Sequence, residues 1–309
     1  MPGIVQNGAM ESRPPRFNRA PIVAPMQLEE RDCDIIRLVH RHRFLRSDQI
    51  ISFMGGSRQQ ILRRLKLLFH HGYLERPRAQ IQYYERGGSR SIAYGLGNKG
   101  GAVLRQLGMM VDSDSWNEKN HVIGRVYLEH ALLVAEVMLA VELACRKHGG
   151  IQLLHEDELA LPLERQPFGW RVTIQNGLKL GVVPDHVFAL DFSDASGQSH
   201  RVHFFLEADR GTMPVVRHTL SQTSFYRKLL AYEATWTQKI HQRHLGIPRF
   251  RVLTVTTSAA RVKSLVEACS QLRRGHGLFL FADTTILSGD ILSADWQCGK
   301  RGETGGLLD

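Results

Sequence analysis

Between Leu28 and Leu107 apolar residues recur at helical spacing and are punctuated by glycine turns. Leu28 to His42 is predicted as a first helix, with Ile35, Ile36, Leu38 and Val39 turned inward. Leu45 to Met54 is predicted as a shorter amphipathic helix, with Ser47 placed to cap it and Gly55-Gly56 to end it. Ser57 to Phe69 then puts Ile61, Leu62, Leu65, Leu68 and Phe69 on one face and Arg58, Gln59, Arg63, Lys66 and His70 on the other. Helix, glycine turn and basic helix together read as a helix-turn-helix whose second helix is the reader.

The pattern then changes to short extended pieces. Gly72 to Arg76 leaves the helix, Gln80 to Glu85 is predicted as a strand, and Ser91 to Leu96 returns as its partner. Between them Arg86-Gly87-Gly88-Ser89-Arg90 is a glycine turn flanked by arginines, so the hairpin reads as a wing with a basic tip. Lys99 to Leu107 closes this part as a short helix. The polar stretch Asp112 to Asn120 is the expected boundary between domains. His121 to His148 follows as one long helix, apolar around much of its girth and therefore buried.

From Ile151 the chain reads as strands: Ile151 to Leu154, Gly181 to Phe192 and Val202 to Ala208, the last two forming a hairpin through a turn at residues 197–199. Val215 to Gln238 is predicted as helix, Phe250 to Thr256 as strand, Ser258 to Arg273 as a helix capped by Ser258, and Leu278 to Phe281 as a final strand. The order β-β-β-α-β-α-β implies an α/β layer on a mixed sheet. The expected organisation is a flexible tail over 1–25, a winged helix-turn-helix domain over 26–111, an α/β domain over 121–298 and a flexible, frayed glycine-rich tail over 299–309. The fold class is α+β.

Charge sharpens this division. The chain of 309 residues carries a net charge of +10, and residues 1–100 hold 17 Lys and Arg against 8 Asp and Glu. Residues 101–309 hold 23 against 22. Concentrated positive charge on the helix-turn-helix segment is the footprint of phosphate contacts. Hydrophobic content of 43% is ordinary for a globular protein. No apolar run reaches the roughly 18 residues needed to span a bilayer, and the start lacks an apolar signal core, so a cytoplasmic location without membrane contact is expected. Cys33, Cys145, Cys269 and Cys298 are scattered and read as free thiols, neither a disulfide frame nor a zinc site.

Candidate chemistry is confined to the second half. Val183-Pro184-Asp185 opens one strand, and Phe204-Phe205-Leu206-Glu207-Ala208-Asp209-Arg210-Gly211 closes the next. Carboxylates at the end of apolar strands are costly to bury unless paired or bound to a metal. On neighbouring strands Asp185 and Glu207 could share a magnesium ion. The pattern resembles the core of restriction-endonuclease-like nucleases, Pro-Asp followed by a strand ending Glu-x-Lys, where carboxylates hold the metal and the lysine helps position or activate the attacking water. Here Asp209 takes the lysine position. Lys228 on the following helix is a substitute candidate, and Glu136 on the long helix a third carboxylate. In the alternative, structural reading, Glu207 and Asp209 pair with Arg210, Arg217 or Arg227 and fix the strand–helix junction. The structural reading is favoured over catalysis. Gly95 to Gly101 is glycine-rich but lacks the spacing of a nucleotide-binding loop.

The order winged helix, long helix, Pro184-Asp185-His186-Val187-Phe188, Phe204 to Thr212, Phe225 to Tyr232 and Arg251 to Arg261 resembles the replication-relaxation family of bacterial mobile-element proteins, over roughly residues 30 to 290. Glu-x-Asp in place of Glu-x-Lys fits that family's pattern. The resemblance implies a DNA-associated protein of plasmids or integrative elements, linked to replication, mobilisation or their regulation, with a winged helix-turn-helix joined to a restriction-endonuclease-like domain. The expected function is sequence-specific binding of double-stranded DNA by a homodimer, with no cofactor. Arg58, Gln59 and Arg63 would face base edges, Ser57 and Lys66 phosphates, and Arg86 and Arg90 the backbone or minor groove. Replication or mobilisation proteins are further expected partners. The alternative expectation is a magnesium-dependent endonuclease or nickase using Glu136, Asp185, Glu207 and Lys228.

Overall fold

The structure is a computed structural model that describes residues 16–21, 25–81, 90–111, 113–159, 168–174, 177–193 and 199–308. The chain divides into two units, Met1–Leu128 and Glu129–Asp309. The mixture of helices with a mixed sheet is the expected α+β class.

In the first unit, helices α1 (Glu30–His42), α2 (Ser47–Met54) and α3 (Arg58–His70) enclose Ile35, Ile36, Val39, Ile50, Ile61, Leu65 and Leu68. Ser57 caps α3, its hydroxyl accepting from the Gln60 amide at 3.4 Å. Ser47, expected as the cap of α2, is instead its first residue and is buried. Arg46 holds the cap position, and the Gln49 side chain takes up its amide at 2.7 Å. The helix starts later because Phe44–Arg46 forms a strand, β1, which pairs antiparallel with β3 (Ala93–Leu96). β2 (Leu74–Glu75) pairs on the other side of β3, giving the order β1-β3-β2.

Gln80 does not begin a strand. It ends a 3-10 turn over Arg78–Gln80, and its amide group takes the place of a strand backbone, donating to Ala93 O at 2.9 Å and accepting from Ala93 N at 2.8 Å. Ile81 follows that turn, and residues 82–89, which hold the rest of the expected first wing strand and the wing tip with Arg86, lie outside the described residues.

Helix α4 (Asn98–Gln106) follows β3. The stretch expected as a polar linker contains a helix, α5 (Trp116–Val122), because Trp116 and Asn120 are buried on the first unit. Asn120 donates to Leu96 O at 2.7 Å and accepts from Arg43 at 2.8 Å. The single long helix expected from His121 is consequently interrupted at Ile123-Gly124, and α6 runs from Arg125 to Lys147. Residues 16–20, expected within a flexible tail, lie across α3. Arg19 donates to Phe69 O at 3.0 Å and to Glu75 at 2.7 Å, and the Ala20 amide donates to His70.

The second unit is built on strands ordered β12-β11-β10-β9-β8-β7-β4: β4 (Ile151–His155), β7 (His186–Ser193), β8 (Ser199–Asp209), β9 (Phe250–Thr256), β10 (Phe279–Asp283), β11 (Trp296–Cys298) and β12 (Thr304–Gly305). β8, β9 and β10 are parallel, and their other neighbours are antiparallel, so the sheet is mixed. α6 packs on one face through Leu133, Val137 and Val141. Helices α7 (Phe225–Thr237) and α9 (Ala259–Cys269), separated in the chain by the short α8 (Ile240–Arg243), pack on the other through Leu229, Tyr232, Val262 and Leu265.

Several boundaries differ from expectation. Pro184-Asp185 splits the expected strand from Gly181 into β6 (Lys179–Val182) and β7, and β6 pairs with β5 (Trp170–Thr173) in a separate hairpin. Proline has no amide to give a ladder, which accounts for the break. The helix expected from Val215 begins only at Phe225, after an irregular loop. The glycine-rich C-terminal stretch is not frayed: β12 pairs with β11, and Leu307 is 1% exposed. β7 and β8 pair as the expected hairpin, while its turn residues 194–198 lie outside the described residues.

Candidate nucleic-acid interface and buried carboxylate cluster

Helix α3 separates its residues into two faces. Ile61, Leu65, Leu68 and Phe69 are buried, while Ser57, Arg58, Gln59, Arg63 and Lys66 are exposed. A helix repeats every 3.6 residues, so Arg58, Gln59, Arg63 and Lys66 share one flank. Leu62, expected among the buried residues, is 37% exposed and lies on that flank between Arg58 and Lys66. Arg90 is exposed at the start of the segment leading into β3.

Arg64 has the opposite fate from its neighbour Arg63. Its guanidinium donates through Nε to Asp32 Oδ1 at 2.9 Å and through Nη2 to Asp32 Oδ2, and Nη1 lies 3.0 Å from Glu29. Asp32, on α1, is 0% exposed, so this two-pronged pair clamps α3 to α1. The hydrogen bond to Asp32 holds the Arg64 guanidinium above its ordinary value.

In the second unit, the two-residue period of β8 turns Phe204, Leu206 and Ala208 toward α6 and Phe205, Glu207 and Asp209 toward α7 and α9. Glu207 is 2% exposed. Its Oε1 accepts from the Tyr232 hydroxyl at 2.6 Å, and its Oε2 accepts from Lys228 Nζ. Asp185, just before β7, accepts from the Ala208 amide at 2.8 Å through Oδ2, and its Oδ1 lies 3.2 Å from His130 Nε2 on α6. Asp185, Glu207 and Lys228 thus come together in one cluster. Glu136 is exposed on α6, and from that helix it is His130 that reaches Asp185.

The charges support one another. Burial pushes the Asp185 carboxyl up, but the His130 hydrogen bond and the Lys228 charge bring it below the usual carboxylate range. Burial opposes the Lys228 charge, yet Glu207 and Asp185 hold its ammonium above the ordinary lysine value. Burial raises the Glu207 carboxyl, with Lys228 opposing and Asp185 adding. Burial and then Glu207 push the Tyr232 hydroxyl well up, so it stays a donor.

Asp209, which takes the lysine position of the nuclease-like pattern, has a separate set of partners. It accepts from Thr256 Oγ1 at 2.7 Å, from Arg261 Nε at 2.8 Å and from the Gly211 amide at 3.2 Å. The partners expected from the sequence, Arg210, Arg217 and Arg227, are otherwise placed. Arg210 bonds to Glu129, Arg227 donates to Ser221 O, and Arg217 is exposed. Tyr232 and Arg261 close the sequence motifs Phe225 to Tyr232 and Arg251 to Arg261 but were given no role at the site, and His130 was not singled out. The role of Tyr232 was legible, because it follows Lys228 by four residues and so shares its helix face. His130 carries no local signal.

Each of the four oxygens of Asp185 and Glu207 already has a partner, and the Lys228 ammonium stands against Glu207. Among the described residues, no group of three or more His, Cys, Asp or Glu side chains is placed to hold a metal ion.

The chain is therefore an α+β protein of two units, one presenting a basic helix face and the other enclosing a neutralised carboxylate cluster on a mixed sheet. It belongs to the replication-relaxation family, whose model matches residues 36–249. That match runs from α1 to the threshold of β9 and so takes in both features. No curated protein and no solved structure matches the chain. Among the described residues no helix is long and apolar enough to cross a membrane.

Proposed function

We propose that this is a sequence-specific double-stranded-DNA-binding protein of a plasmid or integrative element, acting in transcription regulation, replication or mobilisation. The observation that carries the reading is the exposed flank of α3, where Arg58, Gln59, Arg63 and Lys66 stand clear while the opposite face is locked into the core. The order α1-β1-α2-α3-β2-β3 supports a winged helix-turn-helix with α3 as the reader. Arg58 and Arg63 suit guanine edges and Gln59 suits adenine, while Ser57 and Lys66 suit phosphates. Arg86 and Arg90 reach the backbone or minor groove from the wing. A homodimer in the cytoplasm would place two readers on two half-sites. The second unit serves as a catalytically silent, nuclease-like scaffold for dimerisation or for binding replication or mobilisation proteins, a role favoured by carboxylates that are satisfied from within.

A second reading has its own support. The approach of Lys228 to Glu207 beside Asp185 is the grouping expected of a metal-dependent endonuclease or nickase. One experiment separates the two: the protein is incubated with plasmid DNA of its own element, with and without magnesium or manganese, and read for mobility shift and nicking. The expected result is a salt-sensitive, sequence-selective shift without nicking. Arg58→Ala should weaken it by about 1–3 kcal/mol on the cognate site alone. Metal-dependent nicking abolished by Asp185→Ala and Glu207→Ala would overturn the scaffold reading in favour of the nuclease.

A further inference from the structure

The net charge of the second half conceals a local imbalance. From Ala234 to Ala282 the chain has eight Lys and Arg residues and one carboxylate, Glu267. Glu267 pairs with Arg301. Arg251 donates to Gly306 O, and Arg261 is held by Asp209. The others include Lys239, Arg243, Arg273 and Arg274, all exposed. No carboxylate among the described residues pairs with these four side chains.

Their backbone runs close to an exposed indole. Trp236, near the end of α7, is 39% exposed, whereas Trp116 and Trp296 are buried and Trp170 is partly buried with its Nε1 donating to Thr235. The Lys239 amide donates to Trp236 O at 3.0 Å, and the Arg243 amide donates to Lys239 O at 3.0 Å. A Cβ built on Gly275 would lie 3.6 Å from the Trp236 ring, so the backbone that follows Arg273 and Arg274 runs close to the indole. The Arg274 amide is anchored on Glu233 of α7 at 2.8 Å. Lys239 adopts a left-handed backbone, φ 55°, just past the end of α7, which costs a residue with a Cβ.

We propose that this surface binds single-stranded DNA, with Trp236 as the stacking platform for an unpaired base and Lys239, Arg243, Arg273 and Arg274 as phosphate contacts. Four exposed basic residues against one nearby carboxylate, Glu233, leave an excess of positive charge, which selects a polyanion. An accessible indole face selects a strand whose bases are free, because in a closed duplex the base faces are already stacked. The site lies in the second unit and is separate from the flank of α3.

The test is titration of the full chain with a thymidine homopolymer of about 12 nucleotides, within the span of about 4–16 that such grooves hold, followed by tryptophan emission. Quenching reports mainly on Trp236, the exposed indole. Trp236→Ala should weaken binding about 5- to 150-fold, the range of one lost base stack, and Trp236→Phe should retain most of it. Arg243→Ala and Arg273→Ala should each flatten the salt dependence by about 0.7 in logarithmic slope. Arg58→Ala should leave the quench intact. Absence of binding overturns the proposal, as does wild-type affinity in Trp236→Ala, equal quenching by a duplex of the same length, or loss of single-strand binding in Arg58→Ala. Since Arg58 lies on the other interface, failure here and failure of the reader-helix reading are distinguishable.

Discussion

Arg63 and Arg64 are identical side chains at adjacent positions with opposite duties. One helical step of about 100° carries Arg63 to the exposed flank and Arg64 to the rim of the core, where Asp32 waits on α1. Arg64→Ala would leave a fully buried carboxylate without its main partner. A loss of about 3–5 kcal/mol in urea unfolding of the first unit is expected. Arg63→Ala should change stability by no more than about 0.5 kcal/mol and act on DNA affinity instead. Equal stability in the two variants would remove the Asp32–Arg64 clamp from the account.

A second residue-scale prediction concerns pH. The hydrogen bond to Asp185 raises His130 above its ordinary value of 6.5, against the effect of burial. A group with a raised folded value stabilises fully below its unfolded value and loses that contribution as pH climbs through the folded one. Asp185, lowered from 3.8, behaves in the reverse sense and fails only in acid. The pair therefore contributes most between those limits. The stability difference between wild type and His130→Ala should be larger at about pH 5.5 than at about pH 9, since the cavity left by the substitution is independent of pH. Parallel stability curves across that range would mean that His130 is not charged by Asp185.

At the scale of elements, the glycine-rich run from Gly95 to Gly101 has a packing cause. A Cβ on Gly97 would lie 2.4 Å from Gly72 O, and one on Gly100 would lie 2.3 Å from Tyr73 O. The start of α4 is pressed against the backbone that leads from α3 into β2. In an exposed helix Gly→Ala stabilises by roughly 0.8–1 kcal/mol. Gly100→Ala should instead lower the thermal midpoint of the first unit, by about 1–3 kcal/mol of overpacking. The sign of the change is the measurement. Gly97 and Gly100 thus admit neighbouring backbone, while Gly95 and Gly101 lie against the Phe44 and Trp116 rings. The elements missed by sequence share another feature, in that a distant group completes them. Gln80 mimics a strand only because Ala93 lies opposite, and α5 forms a buried face only because Trp116 and Asn120 find the first unit.

At the scale of the whole molecule, the sequence alone determined the α+β class, the helices α1 to α4, the exposed flank of α3 except Leu62, the concentration of charge in that part of the chain and the family. These follow from periodicity, glycine placement and motif order, which are properties of neighbours along the chain. Only the tertiary structure decided that Arg64 belongs to the core, that Lys228, Tyr232 and His130 satisfy Asp185 and Glu207, that Asp209 turns to Arg261, and that Trp236 stays exposed. Each of those pairings joins residues of different elements, and a carboxylate's partner is set by which charge the packing brings within about 3 Å, a distance that no spacing along the chain encodes.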